Sequence, residues 1–194
     1  MLAQEGIITV VVDARGTGGK GLSFKNCTYN KLGILESDDL IEFGEHLKLM
    51  PFTKEKHMAI WGWSYGGFLS CLTAFKAETY DVAISVAPVT NWLYYDAIYT
   101  ERFMNTPENN MDGYTTTSPM YYANNFNGKL LLVHGTSDDN VHIQNSYGLQ
   151  NVLIQEGIQF DFAVYPDKNH GIYGGNTRHH LYQKMTIFLT NYLR

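Results

Sequence analysis

The chain has 194 residues, 44% of them apolar and 17% charged, with a formal net charge of −5. That is enough chain for one ordinary core, and an acidic balance without a basic patch argues against nucleic acid as a partner. No apolar run is long enough to span a bilayer, the N-terminus lacks the basic-then-apolar pattern of a signal peptide, and the two cysteines, Cys27 and Cys71, make no disulfide framework.

Gly6 to Asp13 reads as the first of five buried strands. It lacks upstream neighbours to cover its edge, which suggests a piece of a longer protein. Next comes Gly16-Thr17-Gly18-Gly19-Lys20-Gly21, which fits a dinucleotide-binding fingerprint. Such a site needs a helix opening at the third glycine, yet Leu22 to Cys27 reads as loop and the next helix waits until about Leu35. Asn26-Cys27-Thr28 matches a glycosylation acceptor pattern of low specificity. Leu40, Phe43, Gly44 and Leu47 recur at helical spacing, behind Ser37, Asp38 and Asp39, which suit an N-cap and first turn.

The second strand, Lys56 to Trp61, runs into Gly62-Trp63-Ser64-Tyr65-Gly66-Gly67. A helical stretch, Phe68 to Phe75, follows. Strand, Gly-x-Ser-x-Gly and helix together define a nucleophile elbow, whose sharp turn lifts a serine oxygen above the sheet. The residues two before and two after the serine must lack bulk there. Cys71 on this helix reads as a small buried apolar residue. Val82 to Ala87 is the third strand, and an aromatic-rich connection from Trp92 to Tyr122 follows. Aromatic loops on a rigid sheet suit a substrate pocket.

The fourth strand, Lys129 to His134, leads into Thr136-Ser137-Asp138-Asp139-Asn140, and a helix spans Ile143 to Glu156. The fifth strand, Phe160 to Tyr165, leads into Pro166 to Gly171, and a last helix runs from about Arg178 to Arg194. Strands alternating with helices predict an α/β fold: a mostly parallel, doubly wound sheet with helices on both faces. Ser64, an aspartate and His170 then all lie just past C-terminal strand ends, in the chain order Ser, Asp, His, where sites in such sheets are built. A serine needs that base, and the base needs an orienting acid. Spacing leaves Asp138 and Asp139 both open; one should face the histidine and the other suits a helix cap near Val141. Asp167 reads as a turn residue. His57 opens a strand at the wrong sheet edge, and His46, His142, His179 and His180 read as structural or solvated. His134 with Asp138 and His142 offers a poor metal set, so no metal is expected.

The elbow, Ala87 to Trp92, Tyr94-Tyr95-Asp96, Tyr99 to Arg102, His134 to His142 and Asn169 to Ile172 together resemble the C-terminal catalytic domain of the dipeptidyl peptidase branch of the prolyl oligopeptidase family. The resemblance runs from about Gly6 to the end of the chain. It implies a truncated α/β-hydrolase domain whose upstream strands and β-propeller lie outside these residues. It implies release of N-terminal dipeptides with proline or alanine second, and no cofactor. Carried over by motif, Ser64 is the nucleophile, His170 the base, Asp138 the orienting acid, and the Tyr65 backbone N–H an oxyanion donor. Val89, Trp92, Tyr95, Tyr99, Val141 and the Tyr65 ring form the proline pocket, where aromatic faces suit a ring without an N–H. Asn140 holds the substrate carbonyl, and Arg102 supports the tyrosine and asparagine cluster.

By the same resemblance, an oxyanion tyrosine and the propeller's amine-binding glutamates are missing, so the isolated chain is expected to be at best a weak esterase. The resemblance further implies an extracytoplasmic location and a homodimer contact near Leu181, Met185, Phe188, Leu189 and Tyr192. Two other readings compete: a broader acylaminoacyl peptidase or esterase, and a non-catalytic interaction module, against which Ser64 and His170 both count.

Overall fold

The computed structural model describes residues 2–53 and 58–193. The sheet has four parallel strands in the order β1-β2-β3-β4: β1 (Ala59–Trp63), β2 (Val82–Val86), β3 (Lys129–Gly135) and β4 (Asp161–Tyr165). Helices α1 (Leu22–Asn26) and α2 (Ile34–Lys48) precede β1, and α3 (Tyr65–Lys76) connects β1 to β2. Between β2 and β3 come α4 (Ala97–Met104) and α5 (Pro107–Thr116). Helix α6 (Gln144–Gln155) connects β3 to β4, and α7 (Thr177–Leu193) ends the chain. This is the α/β-hydrolase arrangement.

Side-chain alternation on β2 and β3 sorts the core into two layers. Val82, Ile84, Val86, Leu131 and Val133 pack against Leu181, Met185, Phe188 and Leu189 of α7. Ala83, Leu130 and Leu132 face the other way, against Cys71, Ala74 and Phe75 of α3 and Leu149 and Leu153 of α6. Burying each leucine contributes roughly 1.5–3 kcal/mol. β2 and β3 are mostly apolar because both faces are covered, with Ser85 and His134 the buried polar exceptions, whereas edge strand β4 leaves Val164 40% exposed.

Register sets the site. Trp63 pairs with Val86, Val86 with Val133, and Val133 with Ala163. The loops after β1, β2, β3 and β4 therefore leave from one edge.

Three sequence expectations need correction. Gly6 to Asp13 is not a strand: the segment has no ladder partner among the described residues, and Ile8 and Val11 are 62% and 90% exposed. A strand is defined by its neighbour, and apolar residues alone do not supply one. Next, Leu22 to Asn26 is not loop but the short helix α1, entered through Gly21 at φ 93°. Finally, α2 opens at Ile34, close to the start expected near Leu35, but Ser37, Asp38 and Asp39 do not supply its cap and first turn. Gly33 is its N-cap, at φ 90°, and Glu36 closes the cap by accepting the Gly33 N–H at 2.9 Å. Ser37, Asp38 and Asp39 lie beyond that first turn, and Asp39 instead pairs with Arg15, whose Nε donates at 2.8 Å. The strand start at Lys56 and the reading of His57 lie outside the described residues. No described helix is long and apolar enough to cross a membrane.

Candidate active site

β1 ends against a turn that only small residues permit. Ser64 sits at φ 60°, ψ −119°, a strained backbone for a residue with a Cβ, and heads α3. Its N–H donates to Val86 O at 2.8 Å, which pins the turn to the neighbouring strand end. A Cβ on Gly62 would collide with the Gly66 backbone, and one on Gly67 would lie 2.7 Å from Val86 O. At Gly66 a Cβ would meet nothing within 4 Å. The tight positions are thus Gly62 and Gly67, and the residue two after the serine, expected to lack bulk, has room for a side chain.

The loop after β3 settles which aspartate faces the histidine. Asp138 is buried, and its Oδ2 accepts from His170 Nδ1 at 2.8 Å. Its Oδ1 accepts from the N–H groups of Asn140 at 3.0 Å and Val141 at 2.9 Å. Asp139 is exposed and does not cap α6, whose N-terminus has no side-chain cap. Burial pushes the Asp138 carboxyl up, but hydrogen bonds from His134 and His170, the His170 charge and the Val141 amide outweigh it and hold it well below the ordinary range.

The histidine loop is tied down from several sides. Trp63 Nε1 donates to His170 O at 2.9 Å, and Ser137 N donates to Lys168 O at 3.0 Å. A Cβ on Gly135 would collide with Lys168 O, so this glycine is what lets the two loops approach. Asp167 is an exposed turn residue at φ 55°. Among the described residues, Ser64 makes no side-chain hydrogen bond to His170. Such bonds are often long in unliganded sites and tighten with substrate.

The aromatic connection packs against Tyr65, the residue that follows the serine. Val89, Trp92 and Val141 are buried in one cluster, with Tyr65, Tyr95 and Tyr99 packed against it. The Trp92 ring lies 5.9 Å from Tyr65 and 6.1 Å from Tyr99, the latter stacked. Asp96 caps α4 by accepting the Tyr99 N–H at 2.8 Å, which fixes where that ring starts. Tyr95 OH donates to Asn140 Oδ1 at 2.8 Å, which leaves Nδ2 outside that bond. A cavity of 610 Å³ adjoins this pair, lined by Tyr94, Tyr95, Asp96, Asp139, Asn140 and His142. Neither Ser64 nor His170 lines it. Arg102 is exposed and lies over the Phe103 ring at 5.6 Å, and that ring packs against Tyr99 at 4.9 Å.

Sequence reasoning missed three polar residues. His134, fully buried on β3, has Nε2 2.8 Å from Val141 O and 3.3 Å from Asp138 Oδ2. Both neighbours only accept, so Nε2 carries the proton and Nδ1 accepts from Ser146 Oγ at 2.7 Å. Glu36, 4% exposed, accepts from Tyr65 OH at 2.7 Å. Trp63, whose Nε1 holds the His170 carbonyl, was given no role of its own. The capping pattern from Gly33 to Glu36 was the one available signal for Glu36. The described residues contain no group of His, Cys, Asp or Glu able to hold a metal ion.

A serine on a strained strand-to-helix turn, beside a buried aspartate and histidine pair at one edge of a parallel sheet, defines a hydrolase of the α/β type. The chain belongs to the prolyl oligopeptidase family, whose model matches residues 1–194. Among curated relatives, the Mus musculus prolyl endopeptidase FAP is 42% identical over 193 residues, which is 97% of this chain and 25% of that protein. Bos taurus dipeptidyl peptidase 4 is 39% identical over 193 residues, again 97% of this chain and 25% of that protein. The solved Porphyromonas gingivalis dipeptidyl peptidase 4 superposes with a TM-score of 0.92 at 46% identity, covering 93% of this chain and 26% of that one. The chain thus spans about a quarter of the length of the relatives it matches.

Proposed function

We propose that this chain is the catalytic core of a serine peptidase that releases N-terminal dipeptides with proline or alanine at the second position. The observation that carries the reading is the 2.8 Å bond from His170 to buried Asp138, beside the elbow serine and the aromatic pocket. Dipeptidyl peptidases among the similar proteins support it.

In this reaction Ser64 Oγ attacks the carbonyl after the second residue while His170 Nε2 takes the hydroxyl proton. Asp138 holds the imidazole through Nδ1 and stabilises the cation that forms. Tyr65 N–H, at the N-terminus of α3, meets the developing oxyanion; one such donor contributes about 10²–10³ in rate. His170 then gives its proton to the departing amine. Water, deprotonated by the same histidine, releases the dipeptide and restores Ser64. The pocket of Val89, Trp92, Tyr95, Tyr99, Val141 and the Tyr65 ring accepts the proline ring, and Asn140 Nδ2 holds the preceding carbonyl. The reading places the domain beside a β-propeller, in an extracytoplasmic setting, with α7 in a dimer contact.

The test is labelling with a fluorophosphonate probe, for the chain and its Ser64→Ala variant, followed by hydrolysis of Xaa-Pro and small acyl ester substrates by the full natural protein. Ser64-dependent labelling and proline preference are expected. Labelling without that preference would leave a broader acylaminoacyl peptidase or esterase. A folded protein that is neither labelled nor active would leave the interaction module.

A further inference from the structure

Glu36 is a buried carboxylate that the peptidase reaction does not use. Two hydrogen bonds hold its charge: Gly33 N–H to Oε2 at 2.9 Å and Tyr65 OH to Oε1 at 2.7 Å. It has no ion pair among the described residues. Burial raises its pKa, against the bonds from Tyr65 and Gly33. A carboxylate placed so is unfavourable unless both oxygens are served. Capping α2 needs only Oε2, and an exposed glutamate would do that. The second oxygen goes 29 residues along the chain, to the phenol of the residue that follows the nucleophile.

The surroundings are shaped around this bond. A Cβ on Gly16, at φ 91°, would lie 3.3 Å from Glu36 Oε1 and 3.0 Å from Thr28 Cγ2. The glycine run that resembled a phosphate cradle thus leaves room for a carboxylate. A Cβ on Gly33 would strike the Phe68 ring, and that ring packs edge-on against Tyr65 at 5.3 Å. The Tyr65 ring therefore has Phe68 and Trp92 beside it and Glu36 at its tip. Aromatic contacts alone let a ring slide. A charge-assisted hydrogen bond at its tip fixes how far it projects.

We propose that Glu36 is a positioning residue that sets specificity, holding the Tyr65 ring as a fixed wall of the pocket beside Ser64 so that the pocket fits a proline ring over a flexible side chain. The inference rests on the peptidase reading above. The Tyr65 N–H is placed by the first turn of α3, so the tether acts on the pocket wall more than on the oxyanion.

The test is a double-mutant cycle in the full natural protein, with Glu36→Gln, Tyr65→Phe and the pair. The measured quantity is the ratio of kcat/KM for an Xaa-Pro substrate to kcat/KM for a small acyl ester. Each single variant should lower that ratio about tenfold, the scale of one hydrogen bond to a charged group. The pair should lower it no further than Tyr65→Phe alone. A merely structural Glu36 would lower both rates together, or add to Tyr65→Phe, and either result overturns the proposal. The second readout needs no activity. With 13Cζ-labelled tyrosine, the Tyr65 resonance, assigned by its loss in Tyr65→Phe, should shift in Glu36→Gln. An unmoved resonance overturns the tether. An enzyme with no Ser64-dependent hydrolysis overturns the peptidase reading and the specificity role with it, and the resonance still decides the tether.

Discussion

One added methyl group at Gly62 probes the elbow more sharply than removal of the serine. A Cβ there would collide with the carbonyl, its carbon and the Cα of Gly66. These are backbone atoms in the first turn of α3, so no side chain can swing aside. Restoring ordinary contact requires the Gly66 peptide to retreat by roughly 1 Å. Overpacking of this kind costs about 1–3 kcal/mol. At about 2–4 °C per kcal/mol for a chain of this size, melting should fall by several degrees. Chemistry should suffer more, because Ser64 and the Tyr65 N–H lie inside the displaced turn; a shift of about 1 Å lowers the rate on the order of 10²-fold. Gly66→Ala is the control, since a Cβ there meets nothing within 4 Å. It should melt like the parent or slightly higher, because alanine restricts the unfolded chain. The assay is the second-order rate of fluorophosphonate labelling beside a thermal melt. A Gly62→Ala protein that labels at the parent rate would refute the reasoning, and so would a Gly66→Ala protein slowed to the same extent.

Asp138→Asn should lower turnover by about 10⁴ while the fold persists, as loss of the orienting carboxylate does in serine proteases; steady-state kinetics beside a melt would show it. The same variant changes acid stability. The Asp138 pKa is depressed in the fold, so its contribution is complete above the unfolded value near 3.8 and is lost as pH falls toward the folded value. Urea unfolding at pH 6 and pH 3 should therefore show a smaller pH-dependent loss in Asp138→Asn than in the parent; an equal loss would count against it. Tyr95→Phe removes the hydroxyl that holds Asn140 Oδ1, and should raise KM for dipeptidyl substrates more than it lowers kcat. Leu132→Ala, at a fully buried position between α3 and α6, should destabilise by about 2–5 kcal/mol in denaturant titration. A smaller loss would mean the cavity collapses.

The chemistry was legible where short range decides it. Glycines around Ser64, acidic and histidine loops after apolar runs, and the order Ser, Asp, His all sit in contiguous stretches. The buried strands at Val82 and Lys129 were equally plain, because two covered faces leave few polar positions. What failed needed partners. Gly6 to Asp13 has strand composition, but pairing is a property of two segments. The cap of α2 was placed too late because Ser37, Asp38 and Asp39 have better cap propensity than Gly33, yet Gly33 accepts the left-handed φ that lets the Phe68 ring approach. Choosing Asp138 over Asp139 takes the direction of each side chain, which spacing does not carry. Glu36 and His134 stayed silent for the same reason: their partners, Tyr65 and Ser146, are 29 and 12 residues away.

Asp138 does more than face a histidine. One oxygen holds His170, and the other gathers the amides of Asn140 and Val141, which the proposed mechanism uses to grip the substrate. Base and grip therefore share a single anchor and are not modular. Remodelling the pocket through positions 140 and 141 will alter the base as well, and anything that neutralises this carboxylate releases both together. A designer who wants a new specificity should begin at Val89, in the connection after β2, or at Tyr99, on α4, and leave this anchor alone.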